Sequence, residues 1–364
     1  MKKIIIFADD LNQWGGIERV TSSIANGLAN LGYQIVIINI RGGDKPFFNL
    51  VPSIHIRSLF RNHDRILIKA PLIIFRLRRL LIEEKPEIMI TVESMLALLS
   101  VPAAIGLQIR NICWEHLNFK IDLGRRSRRL ARKIAARYCD DIVTLTKQDQ
   151  LLWMRGTKLK AQVHTIPNPC PFPVQINHTP PENSRLVLAI GRLTYQKGFD
   201  LLLNVWQKVI TAEPNWRLRI VGSGPDEHFL NQLSSDLGIS KTVEFLPATL
   251  NVQSHYKEAA IYCMSSRFEG FAIVLVEAMA FGVPIVSFDC EAGPSEILAG
   301  TGAALVPAEN IDALANNLLR LIRVPSTRIS ISHAEKLRVE EFKLDKIINL
   351  WVALLERSCK ISNV

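Results

Sequence analysis

Residues 265–280 read SSRFEGFAIVLVEAMA and follow a short apolar run, residues 261–264. This pattern predicts a buried strand, a loop that carries Glu269 and Gly270, and a helix whose first N–H groups are free to hold a phosphate. Glu277 lies about two helical turns after Glu269, on a face that is otherwise apolar. Carboxylates are rarely buried without a partner. We expect Glu277 to bind a ribose diol; pairing with a nearby arginine is the alternative.

Short apolar runs alternate with segments of helical period along the whole chain, which is the pattern of βαβ units with parallel sheets. At roughly 150 residues per domain, a chain of 364 residues suggests two domains. The predicted strands are residues 3–8, 34–40, 87–92, 110–114, 141–145 and 162–166 in the first half, and residues 186–191, 217–221, 242–245, 261–264, 284–288 and 303–306 in the second. The predicted fold class is therefore α/β, with two doubly wound Rossmann-like domains.

A proline-rich linker, residues 169–184, can continue neither a helix nor a central strand. It separates a first domain, residues 1–168, from a second domain, residues 185–340. Residues 334–357 carry apolar side chains at helical spacing and predict an amphipathic helix. We expect this C-terminal segment, residues 341–364, to return to the first domain.

The positive charge of the chain is confined to its first half. The chain has 44 Lys and Arg against 34 Asp and Glu, a net charge of +10. Residues 1–168 contribute +12 and residues 169–364 contribute −2. Basic and apolar side chains are mixed in two stretches of the first half, residues 66–81 and 125–137. This mixture is typical of helices that bind an anionic membrane surface; two ordinary solvated helices are the alternative.

The sequence predicts neither a membrane span nor a disulfide. Residues 95–107 are an apolar run of thirteen that includes Pro102, short of the roughly 20 residues that cross a bilayer. The N-terminal apolar run, residues 4–8, is too short for a signal peptide. The six cysteines are far apart and lack metal-ligand spacing. We expect a cytoplasmic protein with free thiols.

Two glycine turns end further strands of the second domain. Residues 189–199 read AIGRLTYQKGF and place Arg192 and Lys197 on the loop that opens the next helix. Residues 221–225 read VGSGP, where Gly222 lets the backbone approach a ligand. Open α/β sheets bind ligands at this edge. The two cations are spaced to share one phosphate-sized anion; two solvated loop cations are the alternative.

Together these motifs resemble family 4 of the retaining, nucleotide-sugar-dependent glycosyltransferases, which have the GT-B fold. The resemblance covers nearly the whole chain and is most specific in the E-x7-E element, Glu269 to Glu277. It implies that Arg192 and Lys197 neutralise the pyrophosphate of the donor. It also implies that Glu277 holds the ribose hydroxyls and that Glu269 contacts the donor hexose near the reacting carbon.

The resemblance assigns further residues of the second domain. The backbone amides of Gly270 and Phe271 add to the pyrophosphate site, and Gly222 belongs to the donor-binding turn. Leu246 ends the strand where the family reads the base through backbone groups. This chain has Pro247 where the family usually has glycine.

In the first domain, Gly15 and Gly16 match the glycine loop of the family, whose backbone approaches the donor phosphates or the acceptor. The loop is not the G-x-G-x-x-G fingerprint, which argues against a dehydrogenase. His116 resembles the family's histidine in the inter-domain cleft, where it would orient the donor hexose; a structural histidine is the alternative. Residues 288–297, FDCEAGPSEI, resemble the members that act in bacterial surface-polysaccharide and lipopolysaccharide synthesis.

The resulting prediction is a retaining glycosyltransferase with Glu269 and His116 as catalytic residues. It would move a hexose or an N-acetylhexosamine from a nucleotide sugar, UDP being commonest in the family, to a lipid-linked, lipopolysaccharide or polysaccharide glycan. Glu269 would position the donor without forming a covalent bond to it. No metal cofactor is expected, because fixed cations and a helix N-terminus stabilise the leaving diphosphate and the chain has no D-x-D triplet.

The sequence leaves two other functions open. A nucleotide-sugar epimerase of the same architecture would release a free epimerised sugar. A basic nucleic-acid-binding protein would need aromatic residues among its cations, and these are scarce beside residues 125–137. We therefore expect no nucleic-acid partner, and we expect the enzyme to bind the inner face of the cytoplasmic membrane peripherally.

Overall fold

The structure is a computed structural model that describes residues 2–60, 70–175 and 178–357. The chain divides into two compact units. Unit 1 comprises Met1–Pro171 and Leu344–Val364, and unit 2 comprises Phe172–Lys343. Each unit contains one parallel β-sheet whose strands alternate with helices. The predicted α/β class with two Rossmann-like halves is confirmed.

Unit 1 is built around a seven-stranded sheet in the order β3-β2-β1-β4-β5-β6-β7. Its elements before the linker are β1 (Lys3–Ala8), α1 (Gly16–Asn30), β2 (Gln34–Asn39), β3 (His55–Ser58), α2 (Ala70–Glu84), β4 (Ile88–Val92), α3 (Ala97–Ala104), β5 (Arg110–Trp114), α4 (Arg126–Tyr138), β6 (Asp141–Thr144), α5 (Lys147–Gly156) and β7 (Gln162–Thr165). Strand β1 pairs with both β2 and β4. The strand order reverses there, so the loops after β1 and β4 flank the crevice where such sheets bind ligands.

Strand β3 has no counterpart among the predicted strands. Its four residues, HIRS, are exposed or half-exposed, whereas the central strand β1 has Ile4, Ile5 and Ile6 fully buried. Among the described strands, β3 lies at the edge of the sheet and pairs with β2 alone. It therefore needs no continuous apolar run. A polar stretch of four residues carries no recognisable strand pattern.

Unit 2 is built around a six-stranded sheet in the order β10-β9-β8-β11-β12-β13. Its elements are β8 (Leu186–Ile190), α6 (Phe199–Ala212), β9 (Arg217–Val221), α7 (Glu227–Asp236), β10 (Val243–Leu246), α8 (Val252–Glu258), β11 (Ile261–Met264), α9 (Ile273–Ala280), β12 (Ile285–Asp289), α10 (Pro294–Ile297), β13 (Ala304–Pro307), α11 (Ile311–Arg323) and α12 (Pro325–Arg338). Strand β8 pairs with both β9 and β11. The order therefore reverses at β8, and the loops after β8 and β11 meet at that point.

The continuous helix predicted over residues 334–357 is wrong. Helix α12 ends at Arg338, a 3-10 turn covers Val339–Phe342, and Lys343 is extended, with φ −60° and ψ 142°. The terminal helix α13 (Leu344–Leu355) starts after this break. The apolar residues continue at helical spacing through the break, which is why the sequence pattern does not reveal it.

Helix α13 packs within unit 1. The ring of Trp351 meets that of Trp114 edge to face, with centroids 4.9 Å apart. Gly27 on α1 faces Ile348, and a Cβ on Gly27 would lie 2.4 Å from the Cδ1 atom of Ile348. The glycine therefore allows α1 and α13 to approach closely, and α13 contributes to the core of unit 1.

The basic stretch 125–137 forms α4, but its cations fall into two classes. Arg128 and Arg132 are 6% and 2% exposed. Arg132 donates to the carbonyls of Asn118 and Ile121, at 2.9 Å each. The remaining cations are exposed: Arg125, Arg126, Arg129, Lys133 and Arg137. Only the cations of this second class could contact an anionic membrane surface.

The other basic stretch, residues 66–81, lies partly outside the described residues, which resume at residue 70. From there α2 exposes the apolar side chains of Leu72, Phe75 and Ile82. Across residues 2–60, 70–175 and 178–357, no helix has the length and apolarity to cross a membrane. Four described cysteines are free thiols: Cys113, Cys139, Cys263 and Cys290.

Candidate functional site

The loops that follow β8 and β11 are in direct contact in unit 2. The Nζ atom of Lys197 donates to Oε1 of Glu269 at 2.7 Å, although the two residues are 72 positions apart. Gly198 has a φ of +61°, and a Cβ there would lie 2.2 Å from the carbonyl oxygen of Ser265. The Ser265 hydroxyl donates to the Lys197 carbonyl at 2.9 Å. A residue without a side chain at position 198 thus lets the two loops meet.

The Glu269 carboxylate is held by several donors. It is 6% exposed. The Ser266 hydroxyl donates to its Oε1 at 2.6 Å, and the Gln196 amide donates to its Oε2 at 3.4 Å. Together with Lys197, these donors fix the orientation of the carboxylate. A carboxylate held in this way can accept a ligand hydroxyl from one direction only.

Arg267 joins the same two loops and was not singled out by the sequence analysis. Its guanidinium donates to both carboxylate oxygens of Asp200, at 2.8 and 2.6 Å. It also donates to the Tyr195 carbonyl at 2.9 Å and lies over the Tyr195 ring, 4.1 Å from the centroid. The hydrogen bonds that Arg267 donates to Asp200 raise the pKa of Arg267. Through its contacts with Asp200 and Tyr195, Arg267 fixes the loop that carries the exposed Arg192 and the partly buried Lys197.

The glycine turn after β9 packs directly against the ends of the two neighbouring strands, β8 and β10. A Cβ on Gly222 would lie 1.8 Å from the Gly191 carbonyl oxygen at the end of β8. The Gly222 N–H donates to the Leu246 carbonyl at the end of β10, at 2.9 Å. The backbone of Leu246, predicted to read the base, is thus positioned by the predicted donor-binding turn.

We expect Gly222→Ala to lower the free energy of unfolding of unit 2 by about 1–3 kcal/mol, the usual cost of overpacking. The added methyl group would meet a backbone carbonyl, which cannot move without shifting a strand end. Thermal and urea unfolding measure the effect. Gly16→Ala is the control, because a Cβ on Gly16 meets no atom within 4 Å; equal unfolding midpoints for the two variants would contradict the prediction.

Glu277 lies on α9 with 7% of its surface exposed. The Tyr256 hydroxyl, from α8, donates to its Oε2 atom at 2.9 Å. The same hydroxyl lies 3.3 Å from the Val274 carbonyl. Tyr256 is thus a partner of this carboxylate, and no local pattern in the sequence indicates it.

Helix α9 begins at Ile273, after Ala272 in the left-handed conformation with φ 49° and ψ 57°. Gly270 and Phe271 belong to the loop that precedes the helix. Phe271 is buried and packs edge to face on Phe342, with centroids 5.9 Å apart. The helix opens with the N–H groups of Ile273 and Val274, whereas that of Leu275 already donates to the Ala272 carbonyl at 2.9 Å.

In unit 1, the two predicted glycines stand at the start of α1. Gly15 is the N-cap, and a Cβ there would lie 2.1 Å from the Glu18 Oε2 atom. Gly16 is the first residue of the helix, and its Cβ position is open. The start of α1 is therefore accessible to a ligand at Gly16.

His116 follows β5 and is 8% exposed. Burial lowers the pKa of its imidazole to about 3, so the ring is neutral at physiological pH. The ring packs on Trp114, with centroids 4.5 Å apart, and its Nε2 atom has no hydrogen-bond partner among the residues that the structure describes. A neutral imidazole with a free nitrogen can form one hydrogen bond to a ligand hydroxyl.

Both halves of the chain match known families. Residues 14–171 match the family described as Glycosyltransferase Family 4, and residues 175–338 match Glycosyl transferases group 1. An uncharacterized glycosyltransferase of Haemophilus influenzae is 36% identical over 356 residues, which cover 98% of this chain and 100% of that protein.

A second relative and a solved structure are also similar along the chain. The GalNAc-alpha-(1->4)-GalNAc-alpha-(1->3)-diNAcBac-PP-undecaprenol alpha-1,4-N-acetyl-D-galactosaminyltransferase of Campylobacter jejuni is 28% identical over 98% of both chains. The crystal structure of HepE from Anabaena in complex with UDP has a TM-score of 0.81 at 19% identity, covering 98% of this chain and 99% of that one. This likeness shows the same fold.

Proposed function

We propose, on the premise that this chain belongs to the glycosyltransferases of group 1 and family 4, that it transfers a hexose or an N-acetylhexosamine from a UDP-sugar to a glycan, with retention of configuration. The acceptor is a lipid-linked, lipopolysaccharide or polysaccharide glycan. The observation that carries the proposal is the Lys197–Glu269 pair at the point where the strand order of unit 2 reverses. The lipid-linked glycan in the name of the Campylobacter relative supports the acceptor class, and UDP in HepE supports the nucleotide.

The donor would bind along the strand ends of unit 2. Lys197 and Arg192 would neutralise the diphosphate, together with the backbone amides of Gly270 and Phe271. These cations would stabilise charge that develops on the leaving UDP. Lys197, already held by Glu269, would need no reorganisation during the reaction. The buried Glu277 would accept hydrogen bonds from the ribose hydroxyls.

The base and the hexose would be held by different groups. The Gly222 turn and the backbone of Leu246 would contact the base. Unit 1 offers two groups of its own to a ligand, the amide of Gly16 at the open start of α1 and the neutral imidazole of His116. Since His116 carries no charge at neutral pH, its contribution would be orientation of a sugar hydroxyl and not charge stabilisation.

Retention follows if the leaving phosphate accepts the proton of the acceptor hydroxyl on the face from which it departs. The C–O bond to UDP breaks, the new glycosidic bond forms on the same face, and the proton moves to the phosphate oxygen. Glu269, held by Lys197 and Ser266, would position the hexose. The restraint on its carboxylate favours this role over that of a covalent nucleophile.

A screen of nucleotide sugars, scored by release of the nucleotide, tests the proposal. The acceptor is a polyprenyl-diphosphate glycan, and the anomeric configuration of the product is determined by NMR. We expect UDP release that depends on the acceptor and a product with the donor's configuration. A free epimerised sugar would identify an epimerase instead, and an inverted product would overturn retention.

We expect excess EDTA to leave the rate of transfer unchanged, because Lys197 and Arg192 supply the positive charge at the diphosphate and no D-x-D triplet is present. The measurement is UDP release with EDTA, and then after addition of Mg²⁺ or Mn²⁺. A loss of activity that either ion restores would show that the reaction needs a divalent metal.

We also propose that the enzyme is cytoplasmic and binds the inner face of the membrane through α4 and α2. Five cations are exposed on and beside α4, and α2 exposes Phe75 at 65% and Leu72 at 42%. Each basic residue near anionic lipid contributes about 1 kcal/mol. The apolar side chains of α2 would enter the headgroup region.

We expect the triple variant Arg129→Glu, Lys133→Glu, Arg137→Glu to lose at least tenfold in binding to vesicles of phosphatidylglycerol and phosphatidylethanolamine at low salt. Sedimentation of the vesicles measures the bound fraction. The matched control reverses three exposed basic residues of unit 2: Lys208→Glu, Arg217→Glu and Lys241→Glu. Equal binding of both triple variants would exclude α4 as the membrane contact.

A further inference from the structure

A cavity of about 940 Å³ opens at the carboxyl edge of the unit 1 sheet. Its walls come from the ends of β1, β2 and β4 and from α1, α3 and α4. Apolar side chains, among them Leu11, Ile17 and Leu98, line much of it, and carboxyl and guanidinium groups project among them. All of its described lining residues belong to unit 1.

Arg128 is the polar side chain in this cavity whose hydrogen bonding is least complete. It is 6% exposed, and its Nε and Nη1 atoms have no hydrogen-bond partner in the described part of the chain. Arg132, one turn later on α4, donates to the carbonyls of Asn118, Phe119 and Ile121. A buried charged donor without a partner is costly. The contrast within one helix indicates that Arg128 is arranged for an oxygen that the chain does not supply.

Glu93 faces the same cavity from the end of β4. Its φ of +70° is rare for a residue with a side chain, and its N–H is held by the Trp114 carbonyl at 2.8 Å. Such backbone strain clusters at active sites and ligand-binding positions. Burial and the neighbouring Glu115 carboxylate raise the pKa of Glu93 to about 7, with Arg128 acting in the opposite direction. Glu93 and Arg128 both line the cavity.

The charge in the cavity does not suit an anion. The described residues that line it include three arginines and four carboxyl groups, a formal charge of −1 with Glu93 ionised and of zero with Glu93 protonated. One arginine, Arg41, is already paired with Asp9 at 2.7 Å. A phosphate or a carboxylate would meet no excess of positive charge. Hydroxyl groups, in contrast, can donate to a carboxylate and accept from a guanidinium, and the apolar lining suits the C–H face of a sugar ring.

We infer that this cavity binds an uncharged sugar ring, the terminal residue of the acceptor, with Arg128 donating to one hydroxyl and Glu93 bonding to another. The inference rests on the proposed function and narrows its acceptor. The enzyme then extends a glycan that already ends in a neutral sugar, and does not place the first sugar on a lipid phosphate. An earlier sugar transfer to the lipid carrier must supply its substrate.

The test compares three acceptors with the full-length enzyme: a polyprenyl diphosphate that carries a neutral disaccharide, the same lipid ending in a uronic acid, and bare polyprenyl phosphate. We expect the neutral glycan to be preferred at least tenfold in kcat/KM. Preference for the uronic acid or for the bare phosphate would overturn the inference while leaving sugar transfer itself established. Absence of UDP release with every acceptor would refute the proposed function.

Variants test the residues. We expect Arg128→Met to raise the KM for the neutral acceptor by about ten- to a hundredfold, the value of one or two hydrogen bonds to a charged group, with a smaller change in kcat and in the donor KM. Arg128→Lys keeps the charge but not the two adjacent N–H groups, so its KM for the neutral acceptor should lie between those of wild type and Arg128→Met. If Arg128→Met does not fold, Arg128→Lys replaces it in the test. Arg155→Met, exposed on α5, is the control. An unchanged acceptor KM in both Arg128 variants would overturn the inference.

Discussion

We expect Lys197→Ala to lower kcat for sugar transfer by about 10² to 10³, as when one donor to a developing oxyanion is removed from an enclosed site. The ammonium group is held by Glu269 at 2.7 Å and is therefore in place before the donor binds. In the proposed reaction, negative charge on the leaving UDP increases as the bond to the sugar breaks. The lost stabilisation should be larger in the transition state than in the bound substrate, so kcat should fall more than the donor affinity.

The experiment needs controls for charge and for folding. Lys208→Ala removes an exposed lysine of α6 that pairs with Asp312 at 3.0 Å on the surface, and should leave kcat unchanged. Lys197→Arg keeps the charge and should retain more activity than Lys197→Ala. The unfolding midpoint of each variant shows whether Glu269, left without its cation, weakens the fold. Turnover of folded Lys197→Ala within threefold of wild type would remove Lys197 from the mechanism.

The convergence of Lys197 and Glu269 was predictable because it depends on local patterns and on one topological rule. Each residue follows a short apolar strand, and parallel strands have their carboxyl ends at one edge. The predicted runs 186–191 and 261–264 correspond to β8 and β11 within one residue. The local patterns do not show that β8 and β11 are neighbours in the sheet. That pairing is implied only by the fold of the family that the chain resembles.

The partners of the site residues were not predictable, because each comes from a different element and fits only in three dimensions. Tyr256 lies 21 positions before Glu277, and Asp200 lies 67 positions before Arg267. Neither pair forms a recognisable sequence motif, because no regular spacing connects the two residues. A tyrosine on an amphipathic helix looks like any other core aromatic until the buried carboxylate beside it is known.

The burial of two cations of α4 could not be predicted either, because their partners also lie on another part of the chain. Arg128 and Arg132 fall on the face of α4 that also buries Ala131 and Ala135. An arginine at such a position is tolerated only if acceptors surround it, and for Arg132 these are loop carbonyls of residues 118–121. The sequence shows the basic composition of the helix, but it does not show where those carbonyls lie. From the sequence alone, the buried and the exposed arginines of α4 therefore look like one membrane-binding surface.

We expect Glu277→Gln to raise the KM for the UDP-sugar by about ten- to a hundredfold with little change in kcat, because a hydrogen bond to a charged group contributes about 1.5–3 kcal/mol. The ribose is remote from the bond that breaks, so its contacts are the same in the bound substrate and in the transition state. Glutamine preserves the shape of the side chain and one acceptor oxygen. Steady-state kinetics with varied donor measure the change.

A modified donor assigns this loss to the ribose. Tyr256→Phe is the matched variant, because it removes the donor to Oε2 of Glu277 but keeps the charge, and it should cost much less than Glu277→Gln. A UDP-sugar that lacks a ribose hydroxyl should bind wild type more weakly but Glu277→Gln almost as well as the intact donor does. In this double-mutant cycle the two losses overlap if the carboxylate and the hydroxyl contact each other. If the deoxy donor weakens binding to wild type and to Glu277→Gln by the same factor, Glu277 does not bind the ribose.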